Sequence, residues 1–147
     1  VALASGLSGF LNARLVMRVG MRPLALRAFA SQVVIGGLLA LAWEAGLIDA
    51  LPQGEQLALF IGWSVTFFFM NGLTFGNITA LAMEPLGHIA GTASAVIGAL
   101  SSMLAVAIAA PVGLAYDGTP RPLLIGVTIC SAIALALIRA DRDRLRG

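Results

Sequence analysis

The chain has 147 residues, 59% of them hydrophobic and only 11% charged, with a mean hydropathy of +0.96. A water-soluble domain carries about 25% charged residues, so this chain lacks the ionic groups to cover a surface facing water and falls in the membrane class. Its net charge of +2 comes from nine Arg and no Lys; these Arg flank apolar runs and form no separate patch, which argues against nucleic-acid binding.

In chain order, Val1 to Val16 (VALASGLSGFLNARLV) is apolar and rich in small residues. Its residues before Arg14 would span only about 20 Å against a hydrocarbon core of about 30 Å. The expectation is a truncated first helix, the end of a crossing in a longer protein. No initiator Met and no basic leader precede the apolar run, which fits a piece of something longer. Arg14, Arg18, Arg22 and Arg27 then form a charged zone broken by Gly20 and Pro23.

Four full spans are expected after it, at residues 24–43, 57–82, 91–115 and 123–138, with a charged tail at 139–147. Trp43 ends the first of them, at a depth where Trp is enriched. Residues 44–56 form an acidic loop with Pro52 and Gly54 at the turn. MEPLGHIA (83–90) is a short turn, and YDGTPRP (116–122) is a tight loop dense in turn residues.

Orientation follows from the Arg. Alternating sides place Arg14, Arg18, Arg22, Arg27, Arg139, Arg142, Arg144 and Arg146 on one face, and Arg121 alone on the other. The Arg-rich face is assigned to the cytoplasm, so the C-terminus lies inside a multi-pass arrangement.

Polar groups inside a bilayer are costly and need a reason. In the 57–82 span, Trp63, Thr66, Phe67, Met70, Asn71, Thr74 and Asn77 fall within an arc of roughly 140°. Such a polar and aromatic stripe suits a cavity for amphipathic organic molecules. The alternative is that Asn71 and Asn77 only hydrogen-bond to neighbouring helices. In the 91–115 span, Ser94, Gly98 and Ser102 recur every fourth residue, the spacing that lets two helix backbones pack closely.

No catalytic, metal or cofactor site is expected. No His or Lys lies in an apolar span to activate the serines. His88, the only histidine, sits beside Glu84 in the 83–90 turn without further ligands. Cys130 stands alone in an apolar run and reads as a small buried hydrophobe. No Asp or Glu lies deep in any span, so these residues supply no proton-cycling carboxylate.

Two stretches carry a family resemblance. FGNITALAMEPLGHIAGTASAVIGALSS (75–102) resembles the turn between the tenth and eleventh helices of major facilitator superfamily transporters, of the bicyclomycin-resistance type of bacterial multidrug:proton antiporter. ARLVMRVGMR (13–22) is similar to the superfamily's cytoplasmic loop motif, with Leu15, Arg18, Gly20 and Arg22 matching. Met17 stands where that motif has Asp, and Ala13 where it has its first Gly, which removes a charge that helps latch the loop.

The resemblance implies an all-α membrane protein forming the C-terminal part of a major facilitator fold in the bacterial inner membrane. It implies that the 57–82 helix lines the central cavity and the 91–115 helix packs between the two halves. The spans 24–43 and 123–138 would be peripheral. Its implied partners are lipid, small amphipathic substrates and protons, used together with an N-terminal half. The alternative is a complete small membrane subunit or scaffold that packs through Ser94, Gly98 and Ser102.

Overall fold

The computed structural model describes residues 2–144, with side chains described over residues 6–141. Among the described residues every regular element is helical: α1 (Ala2–Val19), α2 (Met21–Glu44), α3 (Gln53–Met83), a 3-10 segment (Glu84–Ile89), α4 (Ala90–Leu114) and α5 (Arg121–Arg144). A helix covers most of each expected span, and most of these helices extend further at their ends. Arg146 and the end of the tail lie outside the described residues.

Three helical stretches are long and apolar enough to cross a membrane: 21–44, 53–114 and 121–141. The second contains both α3 and α4. Its 62 residues would reach about 90 Å as one straight helix, three times a hydrocarbon core. It does not run straight. Leu86 leaves helical geometry, with φ −110° and ψ 15°, beside Pro85, whose ring cannot follow a helical turn. The expected 83–90 turn is therefore a 3-10 segment, with a second departure from helical geometry at Ile89 (φ −128°, ψ 30°), where α4 begins.

The first connection is tighter than expected. α1 continues to Val19 and α2 begins at Met21, so Gly20 alone joins them. Gly20 has φ +87°, which a side chain would strain, and this lets one residue turn the chain. Pro23 follows within the first turn of α2, where its missing N–H costs no helical bond. Leu15 and Arg18 lie on α1, Gly20 at the junction and Arg22 in the first turn of α2. The expected loop motif is thus a helix–glycine–helix corner.

α2 packs on α3 and α5, and α1 packs mainly on α3. The core sits where α2, α3 and α5 meet at one end: Trp43, Ile48, Trp63 and Leu124 form a buried cluster, flanked by Leu39, Phe60 and Val127. Close backbone approach occurs at two glycines. A Cβ on Gly36 would lie 2.6 Å from Thr128 Oγ1, and one on Gly126 would lie 2.7 Å from Val112 Cγ2. These contacts seat α2 on α5 and α4 on α5.

Ion pairs close both ends of the α2–α5 pair. Arg22 meets Asp141 at 2.7 Å at one end. At the other, Arg121 pairs with Asp49, whose second oxygen accepts a 2.9 Å hydrogen bond from Trp43 Nε1. The first pair puts the start of α2 and the end of α5 on the same side.

α4 is different. Ala93 is its single buried residue, and Met103, Leu104 and Val106 are at least 60% exposed. Leu38, Leu41 and Leu137 on the other helices are equally open. Water would not tolerate so much exposed aliphatic surface, whereas lipid tails solvate it. The chain is a helical membrane protein.

Candidate functional site

A cavity of about 740 Å³ opens between α2, α3, α5 and the C-terminal half of α4. α4 follows α3 across the 3-10 segment and lines the cavity with Ala105, Ile108 and Val112. Phe67 and Asn71 of α3 face it, joined by Phe29, Gln32, Cys130 and Ser131 from α2 and α5. The rest of its wall is aliphatic or small, apart from Tyr116 at one edge.

The polar side of the cavity is built by a buried network. Gln32, 7% exposed, accepts a 3.2 Å hydrogen bond at Oε1 from Ser131 Oγ. Its Nε2 lies 3.5 Å from the carbonyl of Phe67. A buried amide in a low-dielectric bundle needs such partners, and they fix α2, α3 and α5 at one depth. The Asn71 amide, by contrast, is exposed, and no hydrogen bond to another described residue engages it. It is available to a ligand.

The arc on α3 divides. Phe67 and Asn71 face the large cavity. Trp63 is buried in the core, stacked on Phe67 with centroids 5.7 Å apart, and supports that ring from behind. Met70 borders a small void beside Gln32 and Trp63. Thr74 is buried and returns its hydroxyl to the carbonyls of Met70 and Asn71. Asn77 turns to α1, where it exchanges hydrogen bonds with Asn12.

The α4 serines lie apart from this site. Ser94 and Gly98 are exposed, Ser102 donates to the carbonyl of Gly98 at 2.9 Å, and nothing stands within 4 Å of a Cβ built on Gly98. Among the described residues, their face meets no other helix. Glu84 and His88 are both exposed in the 3-10 segment, with no ion pair between them. Among the described residues no three His, Cys, Asp or Glu gather as a metal site would require.

Residues from α2 and α5 complete the cavity, although these were the spans expected to be peripheral. Gln32 is the signal that reading passed over: an amide near the middle of an apolar span is costly enough to demand partners. Cys130 is half-buried on the cavity wall and so is not a core hydrophobe. A second cavity of about 640 Å³ lies between Trp43, the first turns of α3 and the 116–120 loop, and shares Tyr116 and Leu123 with the first.

Comparison with protein-family models, curated proteins and solved structures returned no match.

Proposed function

We propose that this chain is part of a multidrug efflux carrier of the major facilitator type, exporting small amphipathic compounds in exchange for protons. The carrying observation is the cavity itself: apolar and aromatic walls, one buried amide network and one free amide on α3. Ligand sites in helical membrane proteins have this make-up, since apolar walls supply affinity and a few polar groups supply orientation. In this reading α3 and α4 are separate crossings, giving four full spans, and the Arg-rich end faces the cytoplasm of a bacterial cell. A partner helical half supplies the proton-carrying acid and completes alternating access.

Expression of the whole carrier in a drug-sensitive bacterial strain tests the proposal. Phe67→Ala and Asn71→Ala should each change which compounds are tolerated while leaving membrane abundance unchanged. If both variants export every compound as the parent does, the cavity is not the substrate site.

One observation favours a second reading, a small membrane subunit or scaffold. The Ser94, Gly98 and Ser102 face is uncovered along α4. Purification of this 147-residue chain as a defined, stable oligomer would support that reading.

A further inference from the structure

We infer that the cavity selects uncharged ligands over cationic ones, an inference that rests on the cavity being the substrate site. Among the described residues that line it, none is Asp, Glu, His, Lys or Arg. Its polar groups are the Asn71 and Gln32 amides, the Ser131 hydroxyl, the Cys130 thiol and the Tyr116 phenol. Gln32 and Ser131 are committed to each other, which leaves the Asn71 amide, the Cys130 thiol and the Tyr116 phenol to meet a ligand.

An amide offers one acceptor and two donors. It matches the carbonyl, amide or hydroxyl of a neutral amphipath, with the Phe67 ring beside it for the apolar part. A cation brought to the same place loses its hydration and meets no carboxylate from this chain. Aromatic faces return only part of that loss. Asp141 and Asp49 lie at the two ends of the α2–α5 pair, held by Arg22 and Arg121. They cannot serve as counter-ions for a ligand beside Asn71.

The experiment measures binding of tritiated benzanilide and its 4-trimethylammonium derivative to the chain in nanodiscs, with empty nanodiscs subtracting lipid partition. Benzanilide should bind tighter by roughly tenfold or more, the order expected for an uncompensated charge within a membrane. Asn71→Asp, and separately Cys130→Asp, should raise affinity for the quaternary probe by roughly tenfold, because each places a carboxylate on the cavity wall. Equal binding of the two probes by the parent chain overturns the inference while leaving the cavity as a binding site. Failure of both carboxylate variants to bind the cation better also overturns it. If neither probe binds the parent above empty nanodiscs, the cavity reading itself falls, and with it the inference.

Discussion

Asn12 and Asn77 exchange hydrogen bonds between α1 and α3, with Asn77 Nδ2 donating to Asn12 Oδ1 at 2.8 Å and Asn12 Nδ2 returning the bond at 3.3 Å. Asn77 also donates to the carbonyl of Leu73 at 2.6 Å. This pair is a polar tie between α1 and α3. In a double-mutant cycle with alanine at both positions, the coupling energy should be about 0.6 kcal/mol, and below about 1.7 kcal/mol. Unfolding in mixed micelles measures it. A coupling of zero would show that the two amides act independently.

Glycines of similar local sequence should differ sharply. Gly36→Ala drives a methyl group into Thr128 and should destabilise the chain by about 1–3 kcal/mol. Gly98→Ala meets open space and should stay within about 0.5 kcal/mol of the parent. Gly98→Leu should leave the isolated chain equally stable and impair only assembly with another helix. Thermal unfolding of the three variants in detergent separates the two cases; a stable Gly36→Ala would contradict the close α2–α5 approach.

The cluster of Trp43, Asp49 and Arg121 gives a third expectation. Asp49→Asn removes the ion pair while retaining an acceptor for the indole. Both charged partners are partly exposed, so the loss should be small, about 0.5–1 kcal/mol. Asp49→Ala also strands the Trp43 N–H and should cost more. Comparing their denaturant midpoints with that of the parent checks the order; equal midpoints for Asn and Ala would remove the indole bond from the account.

Asp117 titrates below its ordinary value of 3.8, chiefly because the Thr119 hydroxyl donates to its carboxylate, with the Thr119 backbone N–H adding to the effect. A lowered folded pKa favours the folded state above the ordinary value. That contribution fades as pH falls from the ordinary value through the lowered one, so the effect is confined to strongly acidic solution. Thr119→Val should move the Asp117 titration upward towards 3.8 when followed by carboxyl NMR. An unchanged titration would mean that the hydroxyl does not set it.

The sequence by itself determined that the chain is helical and built for lipid, because helix length, apolarity and scarcity of charge are local properties of each run. It also placed Phe67 and Asn71 on one arc. It could not separate Asn71 from Asn77, which lie on that same arc six residues apart. Only the tertiary structure did so, by setting α1 against Asn77 and a cavity against Asn71. The same limit explains the glycines: small-residue spacing marks where a helix can be approached, not which helix arrives. In this chain the close approach comes at Gly36 and Gly126, while the Ser94, Gly98 and Ser102 face remains open. Which neighbour meets a given face depends on how the whole bundle satisfies its buried polar groups, and the pairing of Gln32 with Ser131, 99 residues away, is visible only once the helices are assembled.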